Sequence, residues 1–389
     1  MCIFAGLGLG RFALGMLLPA MGASLDLSYS QMGLISTCNF FGYLVAVLVC
    51  GRLQVYLGAR KLIVLALLLI GLSAGLIGLG QGFVPVALLY TLTGFGSGAA
   101  NVPMMGLVTA WFGSRLRGRA AGFIVIGSGF AILLSGQVIP VLNSLRVDGW
   151  RLSWFVLAAT VLLITLLCWV VLRNSPEEMG LAKVGESARS PGEENKSVFR
   201  PLNWKVILHC GIIYFIFGFT YVIYATFIVT VLVQEYGYSE EVAGTFWSWV
   251  GLLSLLSGPV FGTLSDRLGR KAGLMIVFSI QTLAYLLVGL QLSGTALVIS
   301  IGCFGIVAWS IPSIMIALVG DLVGAQNTVR IFGLITFIFG IGQIVGPYLA
   351  GLMAESTGNF SGSFLMAACL TFLAVLISSR LQSSAASGS

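Results

Sequence analysis

The sequence predicts an all-α membrane protein of twelve transmembrane helices arranged as two pseudo-symmetric six-helix halves. Three observations carry that expectation. Of 389 residues, 58% are hydrophobic and 8% are charged, against the roughly 25% charged of soluble domains. Twelve apolar windows are each long enough to cross a bilayer core of about 30 Å, which takes about 20 helical residues. The windows on either side of one long polar stretch also echo each other at nearly constant spacing.

In order, the windows cover residues 1–24, 30–50, 61–80, 84–108, 120–142 and 152–172, then 205–233, 242–262, 272–291, 295–319, 331–353 and 361–379. Charged residues, Gly/Pro clusters or aromatic residues bound each one. The 20 lysines and arginines sort by loop. Seventeen lie in the even-numbered connections, their flanks and the C-terminal tail, Arg146 and Arg151 lie on the other side, and Arg11 lies inside the first window. Because basic loops stay cytoplasmic, both termini are expected there, in the inner (cytoplasmic) membrane of a bacterium. The net charge of +7 is thus a topology signal that also suits anionic membrane lipid, and it requires no nucleic-acid partner.

Between the sixth and seventh windows runs NSPEEMGLAKVGESARSPGEENKSVFRP, whose Ser, Glu, Gly and Pro content cannot build a core. It divides the chain into an N-terminal six-helix bundle (1–173), a cytoplasmic linker (174–203) and a C-terminal six-helix bundle (204–389). The halves repeat. Gly51, Arg119 and Gly122 align with Gly262, Arg330 and Gly333 at an offset of 211, and Gly96, Ala99 and Pro103 with Gly305, Ala308 and Pro312 at an offset of 209.

The segment GTLSDRLGRK after the eighth window resembles the loop signature of the major facilitator superfamily, G-x-L-x-D-R-x-G-R-[KR], position for position. The weaker GRLQVYLGARK stands at the corresponding first site, where Val55 and Tyr56 replace the usual Asp and Arg. The resemblance covers the whole chain. It implies alternating access around a cavity lined by spans one, four, seven and ten, with Asp266, Arg267 and Arg270 in a gating latch that holds the halves in one orientation. The stretch GDLVGAQNTVRIFGLITFIFGIGQIVGPYLAGLM is similar to monocarboxylate porters, and GLGRF with LLPAM is similar to the YbfB-type bacterial permeases. Two departures stand out. Span one lacks the acidic-Gly-Gly-Trp motif of animal monocarboxylate porters, and span eight lacks their anion-binding charge.

That leaves Arg11. From Phe12 to Leu25 there are 14 residues, about 21 Å of helix, so the span must include the apolar residues before the arginine. Arg11 then lies about 18 Å below the outer end, close to the midplane and too deep to snorkel. All thirteen acids read as loop or span-end residues, so the charge has no visible internal partner and is assigned to substrate. Gly8 and Gly15 share its helical face and leave that face bare. At similar depth on the other lining spans stand Asn101, Tyr221 and Tyr224 (three apart, hence one face), Trp309 and Ser310. Gln137, Gln281 and Gln343 lie on spans set further from the cavity. His209 is the only histidine, and the seven cysteines fall singly in apolar runs, so neither a metal nor a disulfide framework is indicated.

The resulting expectation is a monomeric secondary transporter of a small organic anion, a monocarboxylate first. A guanidinium holds a carboxylate at two points and stays charged in a dry site. No cofactor is implied, no phosphate-binding loop appears, and no nucleophile, base or metal constellation suggests an enzyme. A gradient must supply the energy. Protons are the usual family choice, and here the proton would ride on the substrate, on water near Arg11 or on a span-end acid such as Asp321. The alternatives are a proton-driven exporter of drugs or metabolites, which would normally show a buried acid, and a transporter-like sensor. The tail after Arg380, LQSSAASGS, is shorter than a signalling domain.

Overall fold

The structure, a computed structural model, describes residues 1–113, 116–185 and 204–381, apart from the side chains at 325, 326 and 329. Arg115, linker residues 186–203 and the tail beyond Leu381 lie outside the described residues. Among those described, eleven helices are long and apolar enough to cross a membrane. One of them, Tyr29–Ile77, is 49 residues long and bends at Gly58, where φ is 74°. We number its arms α2 (29–57) and α3 (59–77), which gives twelve spans. The others are α1 (Phe4–Ser24), α4 (Phe83–Trp111), α5 (Arg117–Ser144), α6 (Gly149–Val171), α7 (Trp204–Glu235), α8 (Glu240–Leu268), α9 (Arg270–Gly289), α10 (Thr295–Val323), α11 (Ala325–Thr357) and α12 (Ser361–Ser379).

The repeat reaches the backbone. Gly58 (φ 74°, ψ 159°) and Gly269 (φ 90°, ψ 150°), 211 residues apart, make the same sharp turn after α2 and after α8. This is a conformation that a Cβ disfavours, so the second glycine of each signature segment is required by the turn itself.

The two halves meet along α1 with α7, α2 with α11, and α5 with α8. Their contacts gather at the end away from the basic turns. There Gly33 abuts the Pro347 carbonyl, Gly351 the Tyr29 carbonyl, and Gly136 of α5 the Gly244 carbonyl of α8, so the backbones approach as only glycine allows. Side chains join the seam, with Thr37 donating to the Ile344 carbonyl at 2.7 Å and Asn143 donating to Glu240 at 2.7 Å. The same four helices each carry a glycine toward the basic end with open space beside it. Around Gly51, Gly122, Gly262 and Gly333 a Cβ would meet nothing within 4 Å.

Helices α1 and α10 are irregular. In α1, residues Phe4–Phe12 form a wide π turn. α10 is interrupted at Ala308–Trp309, where Pro312 removes the N–H that would bond the Ala308 carbonyl. Irregular backbone at membrane depth survives only where protein or a water-filled space satisfies it.

Candidate functional site

Arg11 sits on the π turn of α1, and three neighbouring side chains hold that turn. Ser97 donates to the Gly6 carbonyl at 2.6 Å, Asn39 to the Gly10 carbonyl at 3.4 Å, and Tyr90 to the Arg11 carbonyl at 2.8 Å. Three carbonyls of the wide turn thereby accept side-chain hydrogen bonds, which tie the segment carrying Arg11 to its neighbours. The glycines around it serve packing. A methyl on Gly8 would collide with Ala131, and one on Gly15 would lie 2.6 Å from the Ala225 carbonyl of α7. The bare face expected for Arg11 is thus filled by neighbouring helices.

The guanidinium lies over the Phe40 ring at 4.0 Å and the Tyr43 ring at 4.5 Å, with Phe12 at 5.9 Å. It is 8% exposed, and its Nε and Nη2 are buried without a hydrogen-bond partner. Aromatic faces soften the burial of the charge but do not saturate its N–H donors. Among the described residues no carboxylate forms an ion pair with it.

From this charge the cluster continues into the second half. Phe12 packs on Trp309 at 5.2 Å, and Trp309 meets Tyr221 edge-on at 5.8 Å. Trp309 is half-buried at the break in α10, with its indole N–H unpaired. Asn101 of α4 donates to the Tyr43 hydroxyl at 2.8 Å, and Gln343 of α11 donates to the Tyr221 hydroxyl. Four of the expected residues, Arg11, Asn101, Tyr221 and Trp309, therefore come together.

Two do not. Tyr224 is fully buried, stacks on Phe304 at 3.9 Å and shares a hydrogen bond with Ser300 at 2.9 Å, inside the bundle of the last six helices. Three residues turn a helix by about 300°, which leaves a 60° difference. On α7, whose apolar window is 89% buried, that difference is enough to give Tyr221 and Tyr224 separate neighbours. Ser310 is also fully buried and bonds Ser257 of α8 at 2.8 Å, beneath the break in α10 rather than at the cluster. His209 meets the Ile377 carbonyl at 2.9 Å, well apart from the site. Phe40 and Tyr43 are not among the residues expected from the sequence, and Gln343 was expected outside the site. Gln343 had the signal, an amide within an apolar run, but its helix was expected to lie further out.

The signature turn shows a second arrangement. Arg270 donates from Nε to Asp321 at 2.9 Å and from Nη1 to Asp266 and to Ser265, tying the α8–α9 turn to the end of α10. Among the described residues the ion pairs of Arg270 lie within the last six helices, and Arg267 is exposed. In the first half, Val55 and Tyr56 are 82% and 85% exposed. There Asn174, from the start of the linker, accepts the Arg60 N–H at 2.9 Å. Asn174 also donates to Glu178 and holds that carboxyl below its usual range. A segment of the linker thus takes over the turn whose acid is missing.

The family model described as "Uncharacterised MFS-type transporter YbfB" matches residues 3–379. The chain belongs to this family. It is a multi-pass membrane transporter of the major facilitator type, not an enzyme. It is 27% identical over 384 residues to the hexuronate transporter of Bacillus subtilis (strain 168), covering 95% of this chain and 89% of that one. It is 24% identical over 375 residues to monocarboxylate transporter 11 of Mus musculus, covering 93% and 80%. Its fold is similar to the crystal structure of a bacterial homologue of the human lysosomal transporter Spinster, inward-facing and occupied, with a TM-score of 0.73, 14% identity and coverage of 97% and 94%. The duplicated six-helix architecture read from the repeat is the architecture of this fold.

Proposed function

We propose that this chain carries a small organic anion, a carboxylate first, across the cytoplasmic membrane of a bacterium by alternating access, with Arg11 as its counter-charge. The observation that carries the reading is the buried guanidinium whose Nε and Nη2 have no partner. A charge held at membrane depth is expensive, and neutralisation by a bound anion recovers that expense. The names of two relatives, a hexuronate transporter and a monocarboxylate transporter, support an acid as cargo. Residues 1–173 and 204–389 act as the two rocking bodies and residues 174–203 as the link between them. With the basic end in the cytoplasm, along with both termini, the open space beside Gly51, Gly122, Gly262 and Gly333 supports reading this state as inward-open. A proton gradient supplies the drive. The described residues around Arg11 include no carboxylate, so the proton travels with the substrate or through an acid at a span end.

Purified protein and proteoliposomes test the reading. Wild type is expected to bind and take up short labelled organic acids. Arg11→Gln is expected to fold but bind none, because it removes a midplane charge whose insertion costs about 2.5–3.5 kcal/mol. Arg11→Lys keeps the charge but loses the planar two-point fork, so it should bind weakly. Normal acid binding by folded Arg11→Gln would overturn the assignment.

A further inference from the structure

The two tyrosine hydroxyls of the Arg11 cluster share a feature that the charge does not explain. Each is held from behind by a carboxamide on another helix, Tyr43 by Asn101 at 2.8 Å and Tyr221 by Gln343. A phenol oxygen that accepts an amide N–H still has its own proton to donate, directed away from the amide. Among the described residues neither hydroxyl makes any other hydrogen bond, so both protons lack a protein acceptor. Tyr221 and Gln343 are each 2% exposed, which leaves that O–H little access to bulk water. The Tyr43 ring lies under the guanidinium at 4.5 Å, and Tyr221, in the other half, meets Trp309 edge-on at 5.8 Å, the ring that packs on Phe12 next to Arg11. Amide donation also polarises each phenol and strengthens the O–H as a donor.

We infer that Tyr43 and Tyr221 donate, one from each half, to a second oxygen of the substrate, and that Asn101 and Gln343 are positioning residues that aim them. This rests on the Arg11 reading. Arg11 takes the carboxylate, while the tyrosines select acids that carry a hydroxyl or oxo group beyond it. A substrate held in this way is gripped by both halves at once. An acid without the second oxygen leaves buried donors unpaired, the situation in which a polar site discriminates most strongly.

Calorimetric titration with matched acids, acetate against glycolate and propionate against glycerate, tests the inference. Wild type is expected to favour the hydroxylated member of each pair by about tenfold, the effect of one satisfied buried hydrogen bond. Tyr43→Phe and Tyr221→Phe should each lower that ratio to about threefold or less. Gln343→Leu should lower it as Tyr221→Phe does and should add nothing in the Tyr221→Phe background, because it acts only through that hydroxyl. A merely structural glutamine would weaken both members of a pair alike and would add to Tyr221→Phe. Either of those results, or equal binding of paired acids by wild type, overturns the inference while leaving the Arg11 reading intact. Failure of wild type to bind any of the four acids overturns both.

Discussion

Arg11 shows why residue type alone does not describe a site. Its charge and depth follow from chain position, but the segment that carries it is a π turn tied to its neighbours through Ser97, Asn39 and Tyr90. Tyr221 and Tyr224 make the converse point, since adjacent turns of one helix place two tyrosines in unrelated surroundings. Tyr224→Phe is therefore expected to affect stability and leave binding alone. It removes the hydrogen bond to Ser300, which still donates to the Ala284 carbonyl at 2.7 Å, so the loss should be about 1 kcal/mol. A lower unfolding midpoint with an unchanged acid dissociation constant checks this. A large loss of affinity would return Tyr224 to the site.

At the scale of elements, the irregular stretches of α1 and α10 bring Arg11 and Trp309 into one cluster, as discontinuous helices do in transporters. Pro312 accounts for the break in α10, although its repeat partner Pro103 sits inside an unbroken α4. The π turn had only the glycine run GLGLG to announce it, and glycine is equally a packing signal. The signature turn was legible as a motif, whereas its partners in this state were not. Since Arg270 joins Asp266 to Asp321 within one half, Asp266→Asn should loosen the α8–α9 turn against α10. Exchange rates in proteoliposomes are expected to fall several-fold while substrate affinity stays within a few-fold. Wild-type turnover in this variant would remove Asp266 from the gating machinery.

Over the whole molecule, glycines distribute the contact between halves unevenly. At one end Gly33, Gly136 and Gly351 touch backbone of the opposite half, and toward the basic end a Cβ on Gly51, Gly122, Gly262 or Gly333 would meet nothing within 4 Å. If closure of the basic end brings those four against opposing helices, Gly333→Leu is expected to fold normally, since a side chain there meets open space, yet keep that end from closing. Spin-label distances between the α2–α3 and α8–α9 turns, measured with and without substrate, should stay long in this variant and shorten in wild type. A wild-type shortening in Gly333→Leu would show that Gly333 does not meet the opposite half when this end closes.

The number of spans, their duplication and the presence of one uncompensated charge in the membrane were determined by sequence alone, because each follows from a local property: apolar length, residue spacing, or charge within an apolar run. The company of that charge was decided by tertiary structure. Phe40 and Tyr43 reach Arg11 from α2, Gln343 reaches Tyr221 from α11, and Ser310 is turned away to Ser257. None of these pairings is a matter of spacing along the chain. They depend on the rotation of each helix about its own axis, and in a bundle where apolar side chains face both lipid and protein, the hydrophobic pattern that reveals such a rotation in soluble helices is absent.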